Sequence, residues 1–214
     1  MQPYLFPYLN YYILINLSDN FVYLNDVNFP KKKFINRNNF ISNGIIKWHI
    51  PLRNISQNKL ISEHYIHDFE NNKKKLFTQF KQYFRNSEYF DQNIELFELF
   101  SNIKNDRIDF FILECNKILC NYLKINSKIH LSSELNINNG IENKIISICN
   151  YFDVDTYINL PGGKNIYSDI EFKKHKINLK FLKEFPIKTS ILDLIFTKGF
   201  SYTSELILKY SDSQ

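Results

Sequence analysis

Cysteine, glycine and long apolar runs are all scarce in this chain of 214 residues. Its three cysteines, Cys115, Cys120 and Cys149, form no CxxC pair and no metal-ligand spacing. All three fall in apolar helical patterns, where cysteine behaves as a small buried hydrophobe. We therefore expect them to be buried, reduced and far from any site. The odd cysteine count, the lack of a signal peptide and the lack of an apolar run near ~20 residues favour a cytoplasmic protein without a membrane span.

Concentrated charge of one sign is also missing. The chain has 27 basic and 22 acidic residues, and the densest basic runs are residues 31–33 and 73–75. A dedicated nucleic-acid binder usually concentrates its charge on one stripe, so we predict no nucleic-acid partner. A local patch would be sufficient for a phosphorylated small molecule or an acidic partner protein. For residues 73–75 a solvated helix face is the favoured interpretation.

Aromatic residues are abundant, with 20 Phe and 14 Tyr. Together with the many Asn, Ile and Lys residues, this excess is typical of an AT-rich coding sequence, and most of the rings sit at core spacing. We therefore do not interpret each ring as a binding residue. The hydrophobic share of 44% and the charged share of 23% are ordinary for a globular protein.

Short apolar strands alternate with helical patterns along the chain. The strands are predicted at residues 20–24, 45–52, 128–131, 156–159 and 179–182. Helical spacing covers 71–123, 141–152 (capped by Asn138 or Asn139) and 202–210. The pattern predicts one α/β domain over residues 1–214, with a mixed or mostly parallel sheet flanked by helices. The 71–123 region is predicted to be an inserted helical lobe.

Six short segments carry a family resemblance. They are QPYLFPY at 2–8, DV at 26–27, NRN at 36–38, SSEL at 132–135, DTYINLPGG at 155–163 with Tyr167, and SILD at 190–193. In this order and spacing the chain resembles the WbqC-like protein family over nearly its whole length. The chain departs from that family at residues 25–28, where relatives tend to carry two acids and this chain has only Asp26. That departure weakens a two-carboxylate or metal mechanism.

The resemblance implies a transferase that modifies a nucleotide-activated sugar for a bacterial surface polysaccharide such as the O-antigen of lipopolysaccharide. The group moved would be an acyl or aminoacyl group and the acceptor a sugar amine. The donor could be an acyl or aminoacyl carrier protein. We predict no cofactor and no metal, since His64 and His67 have no apparent third ligand.

The 2–8 segment and the NRN segment supply the first candidate substrate-binding residues. The two prolines of 2–8 stiffen a strand-to-helix loop, where open α/β folds bind ligands, so Gln2 and Tyr4 are candidates; alternatively they only pack the loop. Arg37 offers a planar fork for a diphosphate or a carboxylate. Asn36 and Asn38 flank it, and Lys31 adds a point charge. The alternative for Arg37 is a pair with Asp26 that holds the loop.

The later segments supply the remaining candidates. Glu134 and Asp26 are candidate general bases, with His49 as a possible partner of Asp26. Ser132 and Ser133 are candidate substrate ligands, although helix capping is the leading interpretation for Ser133. The paired glycines 162 and 163 allow positive φ and an anion-binding concavity; the alternative is a tight turn. Asn159 and Tyr167 complete the predicted substrate-binding set of Gln2, Tyr4, Lys31, Asn36, Arg37, Asn38, Ser132, Ser133, Asn159, Gly162, Gly163 and Tyr167. We expect eight of the candidates to converge on one cleft at the carboxyl edge of the sheet, namely Gln2, Asp26, Asn36, Arg37, Glu134, Gly162, Gly163 and Tyr167.

Two other functions are open on sequence grounds. A nucleotidyltransferase has a comparable opening loop, but its histidine pair is replaced here by Asn10, Tyr11 and Tyr12. A non-catalytic glycan- or RNA-binding module would use exposed aromatic rings with lysines. A concave mixed pocket would favour an enzyme, whereas a flat aromatic and basic face would favour the binding module.

Overall fold

The computed structural model of the protein describes residues 1–30, 34–137, 143–183, 186 and 189–213. Lys31 lies outside the described residues, as do Asn138 and Asn139. The helices are α1 (Leu9–Asn16), α2 (Phe69–Phe84), α3 (Phe90–Asn93), α4 (Glu95–Ser101), α5 (Ile108–Tyr122), α6 (Lys144–Tyr151), α7 (Asp169–Lys174) and α8 (Ile191–Asp212). The strands are β1 (Asn20–Tyr23), β2 (Arg37–Phe40), β3 (Ile46–His49), β4 (Lys128–Leu131), β5 (Thr156–Asn159) and β6 (Asn178–Phe181). The predicted α/β class is confirmed.

The strands of the described part of the chain pair as three two-stranded sheets, not as the single sheet that we expected. β1 pairs with β4, and β5 with β6, both in parallel, while β2 and β3 form an antiparallel hairpin. The backbone of Met1 extends the first sheet, because its nitrogen donates to Val22 O (2.8 Å) and its carbonyl accepts from Leu24 N (2.7 Å). Each strand has only four residues, so the sequence indicates where strands lie but not which ones pair.

One core cluster joins the helices of the middle region to α1 and α8. Its side chains come from α1, α2, α4, α5 and α8 and from the 2–8 loop. The region 71–123 is helical as predicted, and its buried residues belong to this main core. Most of the Phe and Tyr rings are buried in the two core clusters or packed against them, as we expected. The largest fully buried side chains are Tyr11, Tyr12, Tyr23, Phe6, Phe40, Phe80, Phe84, Phe97, Phe100, Phe111, Phe172 and Phe196.

Helix α6 begins later than the sequence pattern predicts. Its N-cap is Asn143, whose side-chain oxygen accepts a hydrogen bond from Ile145 N (3.0 Å). That bond satisfies one of the amide groups left free at a helix start. Asn138 and Asn139, which we expected to cap this helix, lie before the helix and outside the described residues.

The 2–8 loop is anchored by Phe6, whose backbone has a φ of +48°. A bulky residue rarely adopts this left-handed conformation without support from its surroundings. Two buried side chains supply the support, because Asn38 Nδ2 (2.8 Å) and Ser190 Oγ (2.9 Å) both donate to the Phe6 carbonyl. The Phe6 ring is fully buried and packs 5.0 Å from the ring of Phe100. The loop that carries Gln2 and Tyr4 is therefore held by the core.

A second anchor connects the β2–β3 hairpin to α8. The buried carboxylate of Asp193 accepts hydrogen bonds from Ile41 N (3.1 Å) and Ser42 Oγ (2.6 Å), and Thr189 Oγ1 also donates to it. Burial raises the pKa of Asp193 even though these donors favour its charged form. The SILD segment thus has a structural role: Ser190 holds the loop and Asp193 holds the hairpin.

The anchoring of Phe6 can be tested by replacing Asn38. Asn38→Ala should lower the free energy of unfolding by ~1–2 kcal/mol, because the Phe6 carbonyl loses a buried donor. Urea unfolding measures the change. Asn39→Ala is the matched control, since Asn39 lies on the other face of the same strand, and it should be nearly neutral. Equal losses in the two variants would contradict this role of Asn38.

The cysteines of the native protein should react slowly with a thiol reagent. All three are buried and free. Burial raises the pKa of Cys120 to about 12 and that of Cys149 to about 11, and it raises the pKa of Cys115 as well. Little reactive thiolate is therefore present at pH 8. Labelling should reach all three cysteines only in urea. Fast labelling of the folded protein with loss of activity would instead indicate a covalent mechanism.

Candidate functional site

A pocket of about 550 Å³ opens where β1 and β5 end. We call it the tyrosine pocket. It is lined by Gln2, Tyr4, Tyr8, Tyr11, Leu24, Phe34, Tyr157, Asn159, Gly162, Gly163, Ile166 and Tyr167, with Met1, Pro3, Ile35 and Leu160. Six of the predicted substrate-binding residues are among them. The carboxyl ends of parallel strands are where α/β proteins commonly bind ligands.

The rings of the tyrosine pocket are fixed by one another and by the backbone. Tyr11 Oη donates to the Gln2 carbonyl (2.6 Å), which fixes the start of the 2–8 loop. The Tyr4 ring stacks on Phe34 at 5.6 Å and 26°. Burial raises the pKa of Tyr4, Tyr11 and Tyr157. These phenols therefore stay protonated at neutral pH and act as uncharged hydrogen-bond donors.

The glycine turn, Pro161–Gly163, has a different structure from the one we expected. Neither glycine has a positive φ. The Gly163 and Lys164 amides donate to the carbonyls of Leu160 (2.9 Å) and Pro161 (3.1 Å). Both N–H groups therefore already have a hydrogen-bond acceptor inside the turn. The predicted anion-binding concavity is not formed by these two groups. The turn instead shapes one wall of the tyrosine pocket.

The two glycines are needed for different reasons. A Cβ on Gly163 would lie 2.8 Å from Asn159 Nδ2. Asn159 cannot move easily, because it donates to the Tyr157 hydroxyl (3.0 Å) and accepts from Leu160 N (2.7 Å). A Cβ on Gly162 would meet no atom within 4 Å. Gly163 is therefore required by packing, and Gly162 leaves the pocket wall open.

A second pocket, of about 820 Å³, lies over the outer face of the β2–β3 hairpin. We call it the cationic pocket. Arg37 pairs with His49 and Asn39 with Lys47 in the strand register, so these four side chains share one face. The lining residues described are Phe29, Pro30, Phe34, Asn36, Arg37, Asn38, Asn39, Lys47, Trp48, His49, Ile55 and Gln57, with no Asp or Glu. Phe34 lines both pockets, so the two pockets adjoin.

Asn36 and Asn38 hold the hairpin in place. Asn36 Nδ2 donates to the Ile50 carbonyl (2.8 Å), and Asn38 Nδ2 donates to the Phe6 carbonyl. Both side chains are buried, while Arg37 between them is exposed. We expected the two asparagines to bind substrate directly. Their amides are bound to backbone instead, so they position Arg37.

A polar cluster lies beyond the ends of β1 and β4; we call it the Asp26 cluster. Its centre is the fully buried Asn25, whose Nδ2 donates to Asp109 Oδ2 (2.7 Å) and to Ser133 Oγ (2.8 Å). Asp109 is held in turn by Arg107 (2.6 Å). Ser132 Oγ donates to Asp26, so the two serines bind this cluster and do not cap a helix.

Asp26 is paired with Lys144, a residue that the sequence did not single out. Burial alone would raise the pKa of Asp26, but hydrogen bonds from Lys144 and Ser132 and the Lys144 charge outweigh it and hold the pKa below 3.8. Asp26 is therefore ionised at neutral pH. The expected partner His49 lies elsewhere, opposite Arg37 on the hairpin. Glu134 is exposed next to Ser133.

The predicted site residues thus fall into three adjacent groups instead of one cleft. The tyrosine pocket contains Gln2, Tyr4, Asn159, Gly162, Gly163 and Tyr167, and the cationic pocket contains Asn36, Arg37, Asn38 and His49. The Asp26 cluster contains Asp26, Ser132 and Ser133, with Glu134 at its edge. The sequence analysis missed Tyr8, Tyr11, Phe34, Lys47, Asn25, Arg107, Asp109, Lys144 and Tyr157. Lys47 could have been found from the sequence, because side chains alternate between the two faces of a strand. Trp48 marks the buried face of β3, so its neighbour Lys47 lies on the outer face.

Glycine replacements separate the two roles. Gly163→Ala should lower the free energy of unfolding by ~1–3 kcal/mol, the usual cost of overpacking, because Asn159 must be displaced. Gly162→Ala, its matched control, should leave the stability nearly unchanged. Urea unfolding of both variants measures the difference. Equal stability of the two variants would contradict the packing role of Gly163.

The Asp26–Lys144 pair predicts an acid dependence of stability. Since the pKa of Asp26 is lowered on folding, its contribution is present above pH 3.8 and is lost as the pH falls through the folded pKa. Asp26→Asn should lower the melting temperature at pH 7 and flatten its decline on acidification below about pH 4. Asp91→Asn, which changes an exposed carboxylate of α3, is the control and should keep the wild-type decline. An unchanged slope in Asp26→Asn would count against the pairing.

In the described ranges, no group of three or more His, Cys, Asp or Glu side chains is arranged to hold a metal ion. No helix of the described chain is both long and apolar enough to cross a membrane. Neither pocket has a cysteine among its described lining residues.

Comparison with known proteins identifies the family. Searches of curated proteins and of solved structures give no match. The model of the WbqC-like protein family, in contrast, matches residues 2–204. The match includes the 2–8 loop, the hairpin, the Asp26 cluster, the glycine turn and the SILD segment. This chain therefore belongs to the WbqC-like protein family.

Proposed function

We propose that this protein is a transferase that modifies a nucleotide-activated amino sugar for a bacterial surface polysaccharide. The group transferred is an acyl or aminoacyl group, and the acceptor is the sugar amine. Membership of the WbqC-like family is consistent with a role in sugar biosynthesis. The observation that carries the proposal is that a tyrosine-lined pocket adjoins a cationic pocket, and that neither has Asp or Glu among its described lining residues. A nucleotide-sugar has the matching parts: a diphosphate, and a sugar ring that is uncharged when its amine is in the unprotonated form that attacks.

The cationic pocket suits the diphosphate. Arg37 can bind phosphate oxygens with two parallel hydrogen bonds, and Lys47 adds a second cation on the same face. The described lining residues include no Asp or Glu that would oppose an anion. His49 is placed to donate a further hydrogen bond. We therefore propose that His49 binds the substrate. The sequence had suggested a catalytic role for it.

The transfer needs a base for the acceptor amine. The amine nitrogen attacks the donor carbonyl, a C–N bond forms, and the bond from that carbonyl to its carrier breaks. The departing carrier group leaves with the electron pair, and the ammonium proton passes to a carboxylate. Asp26 is a poor acceptor, because Lys144 and Ser132 already stabilise its charge. Glu134 is exposed, and none of the ion pairs among the described residues includes it, although it interacts electrostatically with Arg107. Glu134 is therefore the proposed base.

The proposal also includes a donor of the acyl or aminoacyl group. An acyl or aminoacyl carrier protein would deliver the activated group at the open side of the pockets. Exposed apolar side chains lie on that rim, with Phe34 51%, Ile55 56% and Ile166 73% exposed. Apolar rim residues of this kind favour contact with another molecule.

The concave shape of the two pockets favours an enzyme over a binding module. A module that stacks single-stranded RNA or glycan would present its rings on an open groove or a flat face. Here Tyr11 is fully buried and Tyr4, Tyr157 and Tyr167 are partly buried in the pocket wall. The nucleotidyltransferase alternative has no support at 10–12, because Asn10, Tyr11 and Tyr12 are all buried in α1.

Ligand binding can be tested by thermal shift with a panel of nucleotide-sugars. A ligand at 100 times its Kd should add ~2.7 kcal/mol of stability and raise the melting temperature. Arg37→Ala should weaken binding by ~1.5–3 kcal/mol, the value of a hydrogen bond to a charged group. Arg85→Ala, an exposed arginine after α2, is the matched control and should bind normally. If no nucleotide-sugar stabilises the wild type, the proposed function is wrong.

The base can be tested separately from binding. Glu134→Gln keeps the size of the side chain but removes its basicity, so turnover should fall on the order of 10²–10⁴-fold. Binding of the nucleotide-sugar should be nearly unchanged. Single-turnover kinetics with the acceptor sugar, compared with Asp26→Asn, would distinguish the two carboxylates. A larger loss of turnover in Asp26→Asn, measured at a temperature at which both variants are fully folded, would assign the base to Asp26 instead.

A further inference from the structure

The two adjoining pockets differ sharply in charge. None of the described side chains that line the tyrosine pocket is Asp, Glu, Lys, Arg or His. The cationic pocket, in contrast, has Arg37, Lys47 and His49 on one hairpin face. Between them stands Phe34, half exposed and stacked on Tyr4 at 5.6 Å. A ligand that spans both pockets must therefore carry its charge on one side of Phe34 only.

We propose that the tyrosine pocket selects an uncharged sugar ring while the cationic pocket holds the diphosphate, so that the sugar–phosphate linkage passes over Phe34. This inference rests on the proposed function and deepens it, because it names which part of the substrate each pocket takes. It also names a specificity: a ring that bears a carboxylate is rejected.

The position of the Asp26 cluster decides which ring enters the tyrosine pocket. Leu24 lines that pocket, and Asp26 follows it by two residues on the same loop. Asp26 is joined through Ser132 to the turn that carries Glu134. The sugar is the part of the substrate that reacts, so it must lie on the side of the carboxylates. The nucleoside is then left on the hairpin side.

The chemistry of the pocket wall fits a sugar. Tyrosine rings pack against the apolar C–H face of a sugar, and their hydroxyl groups bond to its hydroxyls. The phenols of Tyr4, Tyr11 and Tyr157 stay protonated, since burial raises the pKa of each. A carboxylate on the ring would lose water without gaining a cationic side chain, which is costly. Neutral rings are therefore favoured.

Gly162 gives a way to block one pocket without disturbing the fold. It is exposed, it lines the tyrosine pocket, and a Cβ there would meet no atom within 4 Å. A leucine at this position would occupy the space of the ring. Arg37 gives the complementary change in the cationic pocket. The pair of variants can therefore separate the sugar from the diphosphate.

The test is isothermal titration of the wild type, Gly162→Leu and Arg37→Ala with UDP, UDP-glucose and UDP-glucuronic acid, and with dTDP and dTDP-glucose. For the wild type we expect each neutral sugar to add affinity over its diphosphate, and UDP-glucuronic acid to bind about tenfold more weakly than UDP-glucose. Gly162→Leu should remove the added affinity of the sugar and leave binding of UDP and dTDP unchanged. Arg37→Ala should weaken all ligands by the same factor, about tenfold or more.

Each other result overturns the inference. If Gly162→Leu weakens UDP as much as UDP-glucose, the tyrosine pocket takes the nucleoside. If Arg37→Ala affects only the sugar-bearing ligands, the diphosphate lies elsewhere. If the wild type binds UDP-glucose and UDP-glucuronic acid with equal affinity, the proposed rejection of a carboxylate on the ring is wrong. This comparison needs no variant. Gly162→Ala, a smaller change, repeats the test should the leucine variant not fold. Wild-type protein that binds none of the five ligands contradicts the proposed function itself.

Discussion

The left-handed backbone of Phe6 is the constraint on which the site depends. Its ring is buried in the aromatic core, and its carbonyl accepts hydrogen bonds from Asn38 and Ser190. These contacts offset the strain of a positive φ at a bulky residue. Because the ring cannot leave the core, the residues before it are held over the carboxyl end of β1. Gln2 and Tyr4 owe their place in the tyrosine pocket to a phenylalanine that is itself fully buried.

Neutral and charged groups are kept apart by the same architecture. The hairpin turns Asn38 and Trp48 inward, whereas Arg37 and Lys47 share its outer face. The Asp26 cluster keeps its own charges paired, with Lys144 on Asp26 and Arg107 on Asp109. Little net charge then reaches the tyrosine pocket. A site divided in this way distinguishes substrates by where they carry charge, as well as by their shape.

The sequence predicted the helices better than the site, for a physical reason. The spacing of Ile108, Phe111 and Ile112 in α5 is local, so the sequence alone reveals that helix and its buried face. Residues 36–38 were interpreted as a loop because they are polar. Strand β2 begins at Arg37, and along this extended segment Asn36 and Asn38 are buried while Arg37 is exposed. Once the strand is recognised, the role of each residue follows.

Other parts of the site could not be predicted from one sequence. Asn25 binds Asp109 and Ser133, which lie 84 and 108 residues away, and no local pattern indicates such contacts. The pairing of four-residue strands is equally non-local. The family resemblance did find the segments that meet, namely 2–8, 36–38, 132–135 and 155–163. It could not show that some of them touch the pocket and others only support it.

The position of Asp193 near the end of the chain has a consequence for the order of assembly in the cell. Asp193 holds the hairpin through Ser42, 151 residues earlier, and Ser190 holds the 2–8 loop through Phe6, 184 residues earlier. A growing chain on the ribosome thus carries the described lining of the cationic pocket, and the early part of the tyrosine pocket, long before their anchors are made. Contacts of this range form late in folding. The walls of both pockets are therefore fixed only after α8 has been made.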